Sequence, residues 1–392
     1  MIIPKLAIRN ILGAGIRTWL NVFVLSLAYV AIIFCQGFYL GSYNQIRRAK
    51  VAAELGGGQF WHAGYDPFDP FTFQAAHDAM PDFMQQWVDQ KKAVPLLIIQ
   101  GTFYPKGRLK TVIVKGIPPD QTILSIPTQF LAKSNGIIPG LVGSRMANQA
   151  GLKVGDIITI QWQDANGTFD AHDVEIVQIM KTTVPTIDHG QIWVPLVTFQ
   201  HLLEMNNHAT MVVVGQQFSP AQTNPGWIFK DIGFLLKDLH DMRQTRTIAS
   251  SFLYGLLIML ALLAIFDTQI LSVFKRQKEI GTLISMGMTR HQVMQLFTVE
   301  GILYGILAIF MGAIYGYPLL TYFTEKGFSI PDTIDRTGYA VSNKIFPFYG
   351  SSLILETVGL VLILTAIVSY LPTRKITKLK PTDALRGKLQ TK

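Results

Sequence analysis

The sequence is poor in cysteine and in charge. Its 392 residues include one cysteine, Cys35, and only 15% of them are charged, whereas 49% are hydrophobic. A single cysteine excludes an intrachain disulfide and any metal site built from several cysteines. So apolar a composition is unusual for a soluble chain of this length and is typical of a membrane protein.

Motifs of catalytic chemistry are also missing. The sequence has no G-x-x-x-x-G-K-[ST] stretch, so we do not expect this chain to hydrolyse ATP. Its eight histidines show neither H-x-x-x-H nor H-E-x-x-H spacing, which favours packing or surface roles over zinc binding. We therefore predict a protein that is not an enzyme and that holds no metal or cofactor of its own.

Four stretches are long and apolar enough to cross a bilayer, which takes about 20 residues. The first exceeds the apolar core of a signal peptide and precedes no small-x-small cleavage pattern, which favours a retained helix. The predicted fold class is an α-helical membrane protein with four transmembrane helices and a large α+β extracytoplasmic domain inserted between helices 1 and 2. The helices are predicted at 19–41, 251–274, 297–323 and 351–372.

Lys and Arg are concentrated before the first helix, between the second and third, and after the fourth. Because cations near span ends prefer the cytoplasm, these segments and both termini are predicted to be cytoplasmic. The insert 42–250 and the loop 324–350 are then extracytoplasmic. The net charge of +9 thus reflects membrane topology rather than nucleic-acid binding.

The N-terminal segment 1–18 is predicted to be an amphipathic helix lying in the cytoplasmic headgroup layer, because apolar residues recur there at helical spacing. These residues are Ile8, Ile11, Leu12, Gly15, Ile16 and Trp19. A plain extension of the first transmembrane helix is the alternative.

The insert alternates strand and helix signals. PLLIIQGTFYPKGRLKTVIVKGI predicts two strands around a Pro-Lys-Gly turn, and DIITIQWQDANGTFDAHDVEIVQIM predicts a hairpin turning at Asn166-Gly167. Helices are expected near Leu141–Ala150 and Leu196–Met205. Since the chain has no Gly or Pro from Lys237 to Phe252, a helical stalk is predicted to run unbroken as far as Met286.

Three features have a functional and a simpler structural interpretation. Gly56-Gly57-Gly58 could cradle a phosphate, but no helix pattern follows it, which favours a flexible linker. Asp66 and Asp69 could pair around a cation, although two Asp-Pro turns explain them. Asp267 and Glu300 are costly in a membrane; anchoring to a nearby Arg or Lys is favoured over proton coupling.

The connector 275–296 is predicted to form a helical elbow. Gly287 suits the left-handed end of a helix, and Thr289 with Gln292 forms a capping box that begins the next one. The tip Ser285–Thr289 is small and apolar, and its two flexible methionines suit an adaptable contact. An elbow that rests on its own membrane surface is the alternative.

The stretch KEIGTLISMGMTRHQVMQLFTVEGILYGILAIFMG resembles the hallmark region of FtsX/MacB-type (type VII) ABC transporter permeases. The N-terminal IRNILGAGIRT and the tail LPTRKITKLKPTDALRG are similar to that family's ends. VGSRMANQAGLKVGDIITI and IDHGQIWVPLVTFQHLL resemble its LolC/LolE, lipoprotein-releasing branch. Permeases of that branch that recruit a soluble carrier have a longer, Pro-bearing loop than the tight hairpin at Asn166-Gly167.

The resemblance implies a bacterial inner-membrane permease that pairs with a second copy or a paralogue. A separate nucleotide-binding ATPase subunit would bind ATP and Mg and drive the external domain by mechanotransmission, releasing lipoproteins. The expected ATPase contacts are Glu279, Ile280, Gly281, Ser285, Met286, Gly287, Met288, Thr289, Leu385 and Arg386. The expected substrate seam comprises Phe34, Phe38, Tyr254 and Leu257.

Two alternatives to lipoprotein release stay open. A permease of the same fold could extrude a small amphiphile or activate a cell-wall hydrolase. A membrane-anchored sensor without an ATPase would use the basic elbow only to bind anionic lipid. Co-purification of an ATPase separates this second class from the permeases.

Overall fold

The computed structural model describes Ala7 and residues 15–132, 136–182, 184–216, 226–329 and 344–374. The chain divides into two compact units. The membrane unit comprises Met1–Tyr43, Arg243–Ser329 and Lys344–Lys392, and the inserted domain comprises Asn44–Met242 and Ile330–Asn343. The predicted amphipathic helix falls almost entirely outside the described residues, as does the tail beyond residue 374.

In chain order, the helices are α1 (Gly15–Lys50), α2 (Asp82–Asp89), α3 (Ser144–Ala150), α4 (Pro185–Asp188), α5 (Leu196–Leu202), α6 (Ile232–Leu235), α7 (Lys237–Lys275), α8 (Gln277–Ser285), α9 (Arg290–Lys326) and α10 (Ser351–Thr373). The strands are β1 (Gly58–His62), β2 (Asp78–Ala79), β3 (Ala93–Phe103), β4 (Lys110–Ile117), β5 (Ile138–Gly143), β6 (Ile157–Gln163), β7 (Phe169–Met180), β8 (Gln191–Pro195), β9 (His208–Ala209), β10 (Met211–Val214), β11 (Trp227–Lys230), β12 (Phe328–Ser329) and β13 (Lys344–Ile345).

Four helices of the described chain are long and apolar enough to cross a membrane: Trp19–Leu55, Lys237–Lys275, Arg290–Lys326 and Ser351–Thr373. An α+β domain lies between the first and the second, which confirms the predicted fold class. Inside the membrane unit the helices share one apolar core, in which the Tyr29 hydroxyl donates a 2.7 Å hydrogen bond to the Ile309 carbonyl.

The unbroken helix predicted from Lys237 to Met286 is wrong beyond Lys275. Helix α7 ends there, Arg276 has non-helical angles (φ −100°, ψ 21°), and α8 begins at Gln277. No glycine or proline marks this break in the sequence. It coincides with tertiary ion pairs of the Arg276 side chain, which sequence periodicity does not reveal.

The inserted domain is built on one nine-stranded sheet with the order β11-β1-β10-β3-β4-β8-β5-β7-β6. Strand β3 also pairs with β6, so six of these strands close into a ring. One apolar core includes Trp162, Ile160 and Val114 and is covered by α3 and α5. A second core includes Trp193, Leu141 and Ile98.

Most local predictions for the insert are confirmed. The strand pairs β3–β4 and β6–β7 are antiparallel, and the second turns at Gly167, whose φ is +83°. Two boundaries were wrong: residues Leu141–Gly143 end β5, so α3 starts at Ser144, and α5 ends at Leu202. The carboxylates of Asp66 and Asp69 each accept a backbone N–H two residues on, as the turn interpretation requires.

The glycine triplet is not a flexible linker. A π-helical turn, Val51–Leu55, follows α1 directly, and Gly58 already pairs with Val214 in the sheet. An added Cβ on Gly57 would meet the backbone of Gly215. Gly56 and Gly57 are therefore explained by close packing of backbone on backbone, and Gly58 by the Phe229 ring that packs against it.

Candidate functional site

The candidate site is the elbow, residues 275–296, which joins α7 to α9 through the short helix α8. One face of α8, which includes Gln277, Ile280 and Gly281, is buried, and another face, which includes Lys278 and Thr282, is exposed. The elbow lies wholly within the membrane unit.

A glycine cap closes the first half of the elbow. The Met288 N–H donates to the Leu283 carbonyl and the Gly287 N–H donates to the Ile284 carbonyl, both at 3.1 Å. This pair of bonds is the Schellman motif, which needs a left-handed residue just after the helix. Gly287 supplies that conformation with φ +98°, as the sequence predicted.

A capping box begins the second half. The Thr289 hydroxyl accepts the Gln292 N–H at 3.3 Å, and the Gln292 side chain accepts the Thr289 N–H at 2.9 Å. Both bonds satisfy donors that the first turn of α9 would otherwise leave open. The predicted cap is thus confirmed, and the turn Met286–Thr289 is fixed from both sides.

The elbow has its own apolar core. Val273 of α7, Ile280 of α8, and Val293 and Phe297 of α9 form a buried cluster. Met288 packs against its edge together with Leu283 and Ile284. Because all three helices contribute, the two arms of the elbow are held together by burial as well as by caps.

Arg276 braces the elbow where α7 ends. Its guanidinium contacts the Glu279 carboxylate at 2.7 Å and the buried Glu300 carboxylate at 3.0 Å, and it lies 4.9 Å from the centre of the Phe297 ring. Burial lowers the pKa of Arg276, but the hydrogen bonds and charges of Glu279 and Glu300 raise it overall, so the guanidinium remains charged. The predicted anchoring of Glu300 to a cation is confirmed. The other predicted acid, Asp267, lies on α7 at an exposed position.

The predicted ATPase contacts divide into two groups. Those exposed on the elbow are Glu279, Ser285, Met286, Gly287 and Thr289, and Met286 has 75% of its surface accessible. Ile280 and Gly281 are buried, and Met288 is half-buried. The structure places these last three in the support of the tip. Leu385 and Arg386 lie outside the described residues.

The four seam residues do not share one surface. Phe34 makes an edge contact with Phe323, with ring centres 5.3 Å apart, and Phe38 makes one with Phe328 at 5.7 Å. Tyr254 is buried in the core of the membrane unit, and Leu257 packs against that core. Of the four, Tyr254 lines an apolar groove.

That groove lies between α1, α7 and α10 and has a volume of about 500 Å³. Judged by position along the helices, its polar side chains lie toward one end: Gln36, Ser251, Tyr254 and Thr357. The other end is apolar and includes Phe266, Leu364 and Val368.

Metal chemistry receives no support from the described ranges, in which no group of three or more His, Cys, Asp or Glu side chains is placed to hold an ion. The absence of a cofactor stays a prediction.

Sequence reasoning missed Arg276 as the brace. The only available signal was a buried acid 24 residues later in the chain, Glu300, that needed a cation.

Comparisons with known proteins support the interpretation of this region. Residues 251–381 match the family model described as FtsX-like permease C-terminal. In structure, the chain is similar to the extracellular domain of YknZ, a noncanonic ABC-type transporter from Gram-positive bacteria. That similarity has 15% identity and a TM-score of 0.27, and it covers 47% of this chain and 94% of that one. A search of curated protein sequences finds no match. The C-terminal region, which contains the elbow, is therefore similar to FtsX-like permeases.

Proposed function

We propose that this chain is the permease subunit of an ABC transporter in the bacterial inner membrane. A separate ATPase subunit binds ATP and Mg and grips the elbow from the cytoplasm. Its movement is transmitted through the membrane helices to the inserted domain, which releases lipoproteins on the other side. The chain itself contributes leverage and binding, and no catalytic residue.

The observation that carries this proposal is the construction of the elbow. Two caps, an apolar core and the Arg276 brace fix its backbone, yet the Met286 side chain is left largely exposed. A fixed turn that presents an apolar side chain to water is typical of a docking surface. The match of residues 251–381 to FtsX-like permeases supports an ATPase as the partner.

The first experiment changes the tip without changing its support. Met286→Asp places a charge where the partner's groove is expected to be apolar, and an unpaired buried charge is strongly unfavourable. We expect at least about a tenfold loss of ATPase binding, since each 1.4 kcal/mol of lost binding is a factor of ten. The measurement is co-purification and titration of the ATPase with the full chain in detergent.

Gln295→Asp is the matched control, because Gln295 is exposed on α9 beyond the tip. It should bind the ATPase like the unchanged protein. If Met286→Asp also binds normally, the elbow is not the docking surface. If no ATPase co-purifies with the unchanged chain, the sensor alternative is favoured and the permease assignment fails.

Helix α7 supports pairing with a second permease. Its exposed apolar residues recur at spacings of three and four: Ala249, Phe252, Leu256, Met259 and Leu263. Met259 and Leu263 also line the groove. Phe252 has 80% of its surface accessible. An apolar stripe with this period is the pattern by which helices pair side by side.

Cysteine cross-linking tests the pair. In a Cys35→Ala background, Phe252→Cys should form a disulfide between two copies under mild oxidation. Leu253→Cys is the control, because Leu253 is 54% exposed but lies off the stripe. Efficient cross-linking at 253 and not at 252 would exclude this face, and cross-linking at neither would indicate a paralogous partner.

The groove supports an acyl-bearing substrate. An apolar channel with polar side chains at one end matches an amphiphile whose head lies near Gln36 and Ser251 and whose chain lies along Leu364. A triacylated lipoprotein presents such a structure. A small amphiphile presents it too, so the two must be separated by experiment.

Reconstituted membranes separate them. The chain with its ATPase should release a triacylated lipoprotein into solution and leave its unlipidated form unaffected. Leu360→Trp, which fills the groove, should reduce release while basal ATP hydrolysis persists. Leu355→Trp on the same helix, at a residue 70% exposed, is the control. Export of a small amphiphile without lipoprotein release would replace the substrate assignment.

A further inference from the structure

The inserted domain displays two neighbouring aromatic side chains to solvent. Phe68 is 82% exposed and Phe71 is 91% exposed. They lie in a short segment that we call the aromatic loop, residues 66–72, which contains the sequence Asp-Pro-Phe twice. Large apolar side chains that are grouped on a domain surface, rather than scattered singly, mark interaction sites.

The aromatic loop holds both rings by the same kind of turn. The Phe68 N–H donates to the Asp66 carboxylate at 2.9 Å, and the Phe71 N–H donates to the Asp69 carboxylate at 3.1 Å. The Thr72 hydroxyl closes the loop, because it donates to the Asp69 carbonyl at 2.7 Å and accepts the Asp66 N–H at 3.2 Å. The backbone that presents the two rings is therefore already ordered, which lowers the entropic cost of binding a partner.

The residues on either side of the aromatic loop are packed against the domain. Tyr65 stacks on Phe73 with ring centres 5.5 Å apart, and Phe73 is buried in the second core. The Gln74 side-chain amide donates to the carbonyls of Gln163 and Asp164, at 2.9 and 3.1 Å. The exposure of the two rings is thus a property of an anchored loop.

The aromatic loop belongs to an acidic part of the chain. Residues 51–90 contain no Lys or Arg and six acidic residues: Glu54, Asp66, Asp69, Asp78, Asp82 and Asp89. Carboxylates beside the rings are repelled by an anionic lipid surface, so the loop is not suited to membrane insertion. They favour a partner surface that is basic as well as apolar.

The same domain carries a surface of that kind. Residues 91–119 contain no Asp or Glu and six cations: Lys91, Lys92, Lys106, Arg108, Lys110 and Lys115. Three of the six lie in the segment 104–110 between β3 and β4, which we call the basic tip. Arg108 is exposed there, together with Tyr104 and Leu109, which are 53% and 60% exposed. The basic tip therefore complements the aromatic loop in charge and in apolar character.

The elbow shows how this chain combines such groups. There the Arg276 guanidinium contacts the carboxylates of Glu279 and Glu300 and lies 4.9 Å from the centre of the Phe297 ring. The aromatic loop offers Arg108 of another copy the same set of groups, a carboxylate beside a Phe ring. A guanidinium suits both, because it pairs with carboxylates and stacks on aromatic rings.

We propose that the aromatic loop of one copy docks on the basic tip of a second copy, so that the inserted domains of a permease pair contact each other directly. The domain continues into α7, so pairing along α7 tethers two domains together. Tethering raises their effective concentration to about millimolar, at which even a modest contact forms. The inference rests on the pairing of permeases in the proposed function and deepens it.

Cross-linking between two copies of the full chain in detergent tests the contact. In a Cys35→Ala background, one tagged copy carries Ala75→Cys beside the loop, and a differently tagged copy carries Thr111→Cys beside the tip; both positions are exposed. A bismaleimide with a short spacer is the probe. We expect the pair 75–111 to react at least about tenfold faster than the pair 75–197, in which Val197→Cys replaces a residue 74% exposed on α5.

A change in the loop identifies the apolar part of the contact. Phe71→Ser should slow the 75–111 reaction about tenfold, because exposed aromatic anchors carry much of the binding energy of an interface. Val154→Ser, at another apolar residue that is 57% exposed, should leave the rate unchanged. Both variants should unfold like the unchanged protein, since neither side chain is buried.

A pair of changes identifies the charged part. Asp69→Asn keeps an oxygen that accepts the Phe71 N–H and removes only the charge. In the loop-labelled copy Asp69→Asn, and in the tip-labelled copy Arg108→Gln, should each slow cross-linking about 1.5- to 5-fold. The two changes together should slow it no more than the larger single change, because the charges act on each other.

Each other outcome has a defined meaning. A 75–111 rate no faster than the 75–197 rate overturns the proposal, whether or not Phe252→Cys links the copies along α7. Normal cross-linking in Phe71→Ser, or additive effects of Asp69→Asn and Arg108→Gln, shows that the copies meet through other residues and also overturns it. Failure of the proposed function appears separately, as the absence of an ATPase complex or of the cross-link at 252. Cross-linking at 75–111 without one at 252 supports the domain contact and excludes pairing along α7.

Discussion

The elbow and the junction, which we define as residues 51–58 between α1 and β1, both turn the chain at glycine, for opposite reasons. An added Cβ on Gly287 would meet nothing within 4 Å, so this glycine serves the left-handed conformation of an exposed tip. Gly57 lies where a Cβ would overlap the backbone of Gly215. One turn is fixed by its backbone angles and left open for a partner. The other is sealed inside the domain.

This difference separates two kinds of rigidity. The elbow is rigid because caps and one ion-pair brace hold it, so single side chains control it. The junction is rigid because backbone packs on backbone, so its glycines control it.

Removing the brace should have the largest effect. Arg276→Met leaves the buried Glu300 carboxylate without its ion pair, and such losses are about 3–5 kcal/mol. We expect the elbow to lose protection at the Ile280 amide while the inserted domain keeps its own. Hydrogen exchange measures both.

Two variants make the Arg276 experiment decisive. Arg276→Met with Glu300→Gln should recover most of the lost protection, because no buried charge remains. Glu279→Gln should change the free energy of opening at the Ile280 amide by only about 0.2–1 kcal/mol, since Glu279 is mostly exposed. An Arg276→Met elbow as protected as the original would show that the caps alone suffice.

Overpacking the junction should have the next largest effect. Gly57→Val forces a side chain against the Gly215 backbone, and overpacking of this kind is unfavourable by about 1–3 kcal/mol or more. We expect lower stability of the inserted domain, seen in denaturant unfolding of the full chain. Gly64→Ala, whose Cβ would have only an ordinary 3.4 Å contact with His62, is the control. Equal stability of both variants would contradict a sealed junction.

A smaller effect is expected at the exposed glycine. Gly287→Ala puts a Cβ on a left-handed residue, which is unfavourable by about 1–2 kcal/mol, but it creates no clash. Faster exchange at Met288 with normal domain stability is the expected pattern. Gly287→Asn should be milder, because asparagine tolerates this conformation. Domain unfolding by Gly287→Ala would mean that the two turns are not independent.

The smallest effect concerns pH. Burial, then the neighbouring His208 and His62, lower the pKa of His77. The folded domain therefore binds fewer protons than the unfolded chain. This histidine's contribution to the free energy of unfolding is complete at neutral pH and is lost on acidification below about pH 6.5. His77→Gln should flatten the pH dependence of unfolding in that range. An unchanged slope would show that this histidine does not contribute.

The sequence predicted those features of the elbow that depend on neighbours in the chain. Gly287, Thr289 and Gln292 make their capping contacts within a few residues of one another, so the sequence alone identifies both caps. The Arg276 break was missed because its partner Glu300 lies on the next helix. The flexible linker predicted at the glycine triplet is wrong because the close approach of these glycines to a distant strand produces no local sequence pattern.

The same reasoning explains the fold. Hairpins and four apolar helices follow from local periodicity and turn chemistry. The parallel pairs β4–β8 and β5–β7 join strands far apart in sequence, and so does the ring closure by β3 and β6. No pattern within one strand identifies its neighbours, so the ring was not predicted.

The pairing of β1 with β10 also sets an order of events during synthesis. Gly58 pairs with Val214, so the junction cannot form until the chain as far as residue 214 has emerged. Contacts of such long sequence separation form slowly. By then α1 has long left the ribosome, and the unfolded insert trails behind a helix already made. Factors that keep exposed strands apart during this interval should therefore determine the yield of the folded protein.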